Sequence, residues 1–97
     1  MDEVQVEFVG RFRELFKSKN TIIEVGSEIS LLSLLKKLSE KAGFDVVSHF
    51  LGSNGEPMEE YSLIILNGKA VNLRRLSEYV VKPGDRVVLS PSVAGGG

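Results

Sequence analysis

The sequence of 97 residues contains no cysteine and one histidine, His49. Without cysteine, the chain has no disulfide, no thiolate nucleophile and no sulfur-rich zinc site. One imidazole makes no metal site without fellow ligands, and a Ser/His/Asp triad would have to use His49, which lies in an irregular part of the chain. Because Phe50 and Leu51 follow it, we expect His49 to be a surface or partly buried packing residue and expect no metal to be bound.

The chain also lacks an excess of charge of either sign, with a formal net charge of -1 and a pI of about 5.8. Such a chain has no overall field that attracts phosphate backbones or anionic lipid, so we expect no nucleic-acid partner and no membrane partner. The first residues are acidic and run into an alternating pattern rather than an apolar run. We therefore expect neither a signal peptide nor a membrane span, and a cytoplasmic location.

The length and composition are those of one compact domain. The chain is 42% hydrophobic and 26% charged, which is typical of a globular protein that folds alone. We find no internal repeat and no linker. Residues 1–91 are predicted to form the domain, and residues 92–97 are predicted to form a flexible tail.

Two strands are predicted near the N-terminus. Val4, Val6 and Phe8 alternate with polar residues, which is the period of a strand with one buried face. Residues 17–20 indicate a turn, and Thr21 to Val25 return as the second strand. The charged stretch between the strands carries three apolar residues that we expect to cover the edge of the core: Phe12, Leu15 and Phe16.

One amphipathic helix is predicted to follow. Ser30 is placed to cap its first turn, and Gly43 is the natural stop because glycine readily adopts a left-handed conformation. The helix presents one apolar stripe, formed by Leu31, Leu34, Leu35, Leu38 and Ala42.

The second half predicts shorter elements. Short helical turns are expected within residues 46–51 and 72–79, with a loop at residues 52–57. Leu63 to Leu66 form a strand, and Asn67-Gly68 is the dipeptide that most readily forms a tight hairpin turn. The last strand is predicted at Arg86 to Leu89, with Val87 and Leu89 facing inward. Pro91 lacks an amide hydrogen, so the sheet is not expected to extend that far.

Two hairpins around one helix predict an α+β fold. Each strand has one apolar face and the helix has one apolar stripe, so the helix should lie across one face of a mixed sheet of four to five strands.

The C-terminal segment is the strongest candidate for chemistry. Its three glycines, Gly95 to Gly97, have no side chains to pack, and residues 92–97 would extend over roughly 20 Å. Such a tail fits a narrow channel and presents an unhindered carboxylate. A frayed end or a cloning remnant is the alternative explanation of the glycines alone.

The whole pattern resembles the MoaD/ThiS family. The resemblance is carried by Phe8, Arg13-Glu14, the leucine helix after Ile29-Ser30, Asn67-Gly68, Pro83 to Val87, and Ser90 to Gly96. It implies a β-grasp (ubiquitin-like) fold in which the first and last strands are parallel central neighbours. It also implies a carrier protein rather than an enzyme, with no bound cofactor.

The resemblance implies a specific chemistry. An E1-like enzyme uses ATP to adenylate the terminal glycine, and sulfur then converts it to a thiocarboxylate for molybdopterin biosynthesis, with the molybdopterin synthase large subunit as second partner. The alternatives are conjugation through the tail to lysines of target proteins, and sulfur donation for tRNA thiolation. Gly97 is the expected reactive residue, with Gly96 in its place if Gly97 is removed, because the family usually ends in two glycines.

Further residues are expected to support the tail and bind partners. Within the tail and at its base these are Gly95, Ala94, Val93 and Pro91. On the outer sheet face the candidates are Val88 and, with core positions as the alternative, Ile22 and Ile64. A long polar segment, Gly52 to Glu60, departs from the family pattern.

Overall fold

The computed structural model describes residues 2–92. Within them the chain forms strands, two helices and two 3-10 turns, at Val47–His49 and Leu73–Arg75. The strands and helices are β1 (Glu3–Phe8), α1 (Arg11–Phe16), β2 (Asn20–Glu24), β3 (Ile29–Ser30), α2 (Leu31–Ala42), β4 (Ser62–Leu66), β5 (Lys69–Ala70), β6 (Val80–Val81) and β7 (Arg86–Pro91). No helix in this part of the chain is long and apolar enough to cross a membrane.

Five strands form one mixed sheet in the order β2-β1-β7-β4-β5. The central pair, β1 and β7, is parallel, and the other neighbours are antiparallel. A separate two-stranded ladder joins β3 to β6. The β-grasp prediction is confirmed, including the parallel central pair.

The core lies between the inner sheet face and α2. Val4, Val6 and Phe8 of β1 are buried, as are Val87 and Leu89 of β7. Four residues of the helical stripe are also buried: Leu31, Leu34, Leu35 and Leu38. Burying one such side chain stabilises the fold by about 1.5–3 kcal/mol, so the alternating strands and the leucine stripe determine how the layers stack.

The predicted caps of α2 are confirmed. The Ser30 hydroxyl oxygen accepts a hydrogen bond from the Ser33 amide at 3.0 Å. Gly43 ends the helix with φ 83°. The hairpin prediction also holds, because Asn67 and Gly68 have φ angles of 49° and 87°.

The stretch after β1 differs from its prediction. Residues Arg11–Phe16 form α1, and Phe12 is fully buried instead of covering the edge of the core. Its ring stacks on Phe50 with centroids 5.4 Å apart, while Phe16 stacks on Phe8 at 4.0 Å. A six-residue helix is too short to establish a 3.6-residue period, so these tertiary contacts determine it.

The last strand also runs further than predicted, because Ser90 and Pro91 pair with Leu63 and Ser62 of β4. The Ser92 amide donates toward the β4 side, to the Tyr61 carbonyl, so strand alternation turns the Pro91 nitrogen toward the β1 side. There β1 has already ended at Phe8. The missing amide hydrogen of proline therefore removes no ladder bond.

Candidate functional site

The candidate site lies at the end of the central strand β7, where the described residues also end. The Ser92 amide donates to the Tyr61 carbonyl oxygen over 3.0 Å, just beyond the end of β7. Two of the predicted site residues, Pro91 and Val88, belong to β7. The other five lie outside the described residues: Val93, Ala94, Gly95, Gly96 and Gly97.

Gly10 provides close contact at the base of the tail. It precedes α1 with φ 59° and ψ -131°, a backbone conformation that favours glycine. A Cβ built on Gly10 would lie 2.7 Å from Cγ of Pro91. The absence of a side chain at residue 10 thus allows the end of β1 to pack directly against the end of β7.

Arg11 joins α1 to the start of β4. Its Nη2 donates to the Tyr61 carbonyl oxygen at 2.9 Å and to the Ser62 hydroxyl at 2.7 Å. The guanidinium carbon lies 4.7 Å from the centroid of the Phe12 ring. The Tyr61 carbonyl therefore receives two donors, one from Arg11 and one from Ser92.

Ser62 and His49 connect the Arg11 contact to the interior of the protein. The Ser62 side chain is buried and its hydroxyl donates to the His49 carbonyl oxygen at 2.5 Å. The His49 ring meets the edges of two aromatic rings, Phe12 at 6.0 Å and Phe44 at 6.3 Å between centroids. The predicted packing role of His49 is confirmed.

The pKa of His49 is lowered from its ordinary value of 6.5. Burial is the largest cause, because it disfavours the imidazolium, and the positive charge of Arg11 adds to it. The carboxylate of Asp45 acts in the opposite direction. A neutral imidazole is thus favoured next to the arginine at the base of the tail.

The outer face of the sheet carries a second feature, which we call the apolar strip. Its members are Leu63 and Ile65 of β4 with Val88 of β7, all half-buried. Ile65 and Val88 are direct neighbours in the antiparallel register. Ile22 of β2 is 43% exposed on the same face, where it is the register partner of Gln5.

One of the docking candidates is wrong. Ile64 is fully buried on the inner face, because β4 places Leu63 and Ile65 outward and Ile64 toward the core. An ion pair between Arg86 and Glu7 flanks the apolar strip, at neighbouring strands of the outer face.

A groove of about 480 Å³ lies beside α1 and the end of α2, and its lining residues include Ser18 and Thr21 but no histidine or carboxylate that would activate them. Within residues 2–92, no cluster of three or more histidines and acidic residues lies close enough to hold a metal ion.

Several residues at the base of the tail were not predicted from the sequence. Gly10 lies two positions after the end of β1, and an isolated glycine there was a detectable signal of close backbone approach. Arg11, Tyr61 and Ser62 gave no such signal, because the contacts of Arg11 join residues 50 and 51 positions apart in the chain.

A five-stranded mixed sheet with a parallel central pair and one main helix across its inner face is the β-grasp, or ubiquitin-like, fold. The ThiS family model matches residues 6–96, and the chain belongs to that family. The match covers nearly the whole described domain together with Gly95 and Gly96. Among curated protein sequences, none matches this chain.

Solved structures share the fold. SAMP1 of Haloferax volcanii superposes with a TM-score of 0.75 at 21% identity, covering 97% of this chain and 99% of that one. Subunit 1 of a protein described as the molybdopterin converting factor of Pyrococcus furiosus gives 0.70 at 22% identity, over 96% and 100% of the two chains. A complex of subunits 1 and 2 of the Helicobacter pylori molybdopterin-converting factor gives 0.53 at 25% identity, over 97% and 99%. These likenesses show that this chain and the solved structures share one fold.

Proposed function

We propose that the protein is a cytoplasmic sulfur carrier for molybdopterin biosynthesis, activated at the carboxylate of Gly97, or of Gly96 where Gly97 is removed. The observation that carries the proposal is the position of Pro91 and Ser92. Pro91 is the last residue of the central strand β7 and the Ser92 amide still bonds to Tyr61, and both precede a segment whose last three residues have no side chains. The family match, which extends through Gly96, supports the same assignment.

The chemistry needs activation because a free carboxylate is a poor acyl donor. An E1-like partner forms an acyl-adenylate from the carboxylate and ATP and releases pyrophosphate. Sulfide from a sulfur donor then attacks the carbonyl carbon, the C–O bond to AMP breaks with AMP as the leaving group, and a thiocarboxylate remains. The carrier binds no cofactor in this scheme, and the partners supply the catalytic groups.

The apolar strip is the proposed docking surface. Interface cores favour apolar anchors with little charge, and Val88 with Ile65 forms such a patch beside the ion pair of Arg86 and Glu7. The E1-like enzyme would bind here first. The Helicobacter pylori complex of subunits 1 and 2 supports a large subunit as the second partner.

A second candidate function uses the same activated tail. The similarity to SAMP1 of Haloferax volcanii, a structure that covers nearly the full chain, favours a modifier that is joined through its terminal glycine to lysines of target proteins. A third possibility is tRNA thiolation, in which the same thiocarboxylate donates its sulfur to tRNA. The three functions share the first step, adenylation of the terminal carboxylate. They differ in the molecule that receives the sulfur or the whole protein.

The test is intact-mass spectrometry after incubation with the E1-like enzyme of the same organism, ATP and a sulfur donor. A carrier gains the mass difference between sulfur and oxygen at its terminal residue. A modifier instead appears in branched peptides linked to lysine. If neither product forms while ATP is available, the proposal is wrong.

A further inference from the structure

We infer that Arg11 is a positioning residue that clamps the Tyr61 carbonyl and so sets the position of Ser92, from which the chain continues to the proposed acyl donor. The inference deepens the proposed function and rests on it. Its basis is one oxygen atom, the Tyr61 carbonyl, which accepts from Arg11 Nη2 at 2.9 Å and from the Ser92 amide at 3.0 Å.

The clamp is held by a buried layer. The same Arg11 nitrogen donates to the Ser62 hydroxyl, whose own proton goes to the His49 carbonyl oxygen. Ser62 is 1% exposed, so its hydroxyl is fixed in direction by the surrounding core. The position of the guanidinium over the Phe12 ring restricts the arginine further. The two acceptors of Arg11, the Tyr61 carbonyl oxygen and the Ser62 hydroxyl, are therefore held in fixed positions.

The contact between Arg11 and the Tyr61 carbonyl lies next to Ser92, so it affects how firmly Ser92 is held. Arg11 stabilises the carbonyl to which Ser92 is hydrogen-bonded, at the junction between sheet and tail. Each residue that has to be ordered before reaction adds an entropic barrier. If the clamp were lost, Ser92 would leave the ordered domain more often, and the partner would have to order a longer segment to align the terminal carboxylate.

This placement predicts a specific kinetic signature. Docking depends on the outer face of the sheet, which Arg11 does not form, so the KM of the carrier should hardly change. Alignment of the tail occurs within the docked complex, so kcat for adenylation should fall. If Arg11 only supported the fold, its loss would lower the melting temperature without lowering kcat at constant KM.

The experiment compares Arg11→Met with Arg75→Met. Methionine keeps an unbranched side chain over Phe12 and removes the donors. Arg75 provides a matched loss of charge, since its side chain is 64% exposed and pairs only weakly with Glu78 at 3.8 Å. Arg11→Lys, which retains a cationic donor, should restore part of the wild-type behaviour.

Two readouts are measured. Amide hydrogen exchange at Ser92 should be about fivefold faster in Arg11→Met, the size of effect that one net hydrogen bond gives, and unchanged in Arg75→Met. The kcat for pyrophosphate release with the E1-like enzyme should fall by about fivefold, with KM within about twofold of wild type.

Unchanged Ser92 exchange, or a rise in KM at constant kcat, would overturn the positioning role. A wild-type chain that is not adenylated at all would overturn the proposed function instead, and the Ser92 exchange rate would then decide the clamp by itself.

Discussion

Gly10 and Pro91 meet at the junction between domain and tail, so closely that a Cβ on Gly10 would approach Pro91 Cγ to 2.7 Å. The contact joins the end of β1 to the end of β7, the two strands at the centre of the sheet. Its cause is the positive φ of Gly10, which turns the chain from β1 into α1. The packing at the end of β7 thus depends on a glycine more than 80 residues before Pro91.

Gly10→Ala should destabilise the protein by about 2 kcal/mol, because the alanine must hold an unfavourable backbone conformation and displace Pro91. Urea unfolding measures the change. Gly26→Ala is the matched control, since a Cβ on Gly26 has nothing within 4 Å, and it should be neutral or slightly stabilising. Equal effects of the two variants would contradict the close contact.

His49 should make stability depend on pH in one direction. Its pKa is lowered in the folded chain, so between that pKa and the unfolded value of 6.5 the unfolded chain binds more protons. Stability contributed by the neutral imidazole is present above pH 6.5, falls as the pH drops through this window, and falls no further below the folded pKa. Thermal melts above and below pH 6.5 measure this change. The melting temperature should decrease less at the lower pH in His49→Gln than in the wild-type protein.

A direct NMR titration of the His49 ring provides the control. It should give a pKa below 6.5, and Arg11→Met should raise that pKa because one cause of the shift is removed. A pKa at or above 6.5 in the wild-type protein would contradict the burial of this ring between Phe12 and Phe44.

Val88→Arg should weaken docking to the E1-like enzyme by roughly tenfold or more in KM, because a charge would replace an apolar anchor in the strip. The melting temperature should change little, since Val88 faces outward. Val80→Arg makes the same substitution at a 53% exposed position on the separate β3-β6 ladder. If both variants bind equally well, the apolar strip is not the docking surface.

The sequence predicted the elements whose signals are local. The cap at Ser30, the stop at Gly43 and the Asn67-Gly68 hairpin each depend on residues within a few positions, and the structure confirms them. The alternation of Val4, Val6 and Phe8 identified the inner face of β1 for the same reason. The strand order came from the resemblance, because periodicity does not assign neighbours.

The features that were missed depend on contacts between distant residues. The burial of Phe12 is produced by Phe50, and the extension of β7 to Pro91 is possible because β1 ends at Phe8. The Arg11 clamp joins α1 to Tyr61 across half the chain. None of these contacts leaves a periodic pattern in the sequence, so only the folded arrangement reveals them.

The central claim is that the terminal glycine carboxylate, presented by a rigid β-grasp domain, is the reactive group of this protein. The most direct measurement is ATP-pyrophosphate exchange by the E1-like enzyme with the full chain and with a chain lacking residues 96–97. We expect exchange to be abolished by the truncation while the melting temperature stays within about 2 °C, because the core of the described residues is complete by Leu89. Undiminished exchange with the truncated chain would contradict the account.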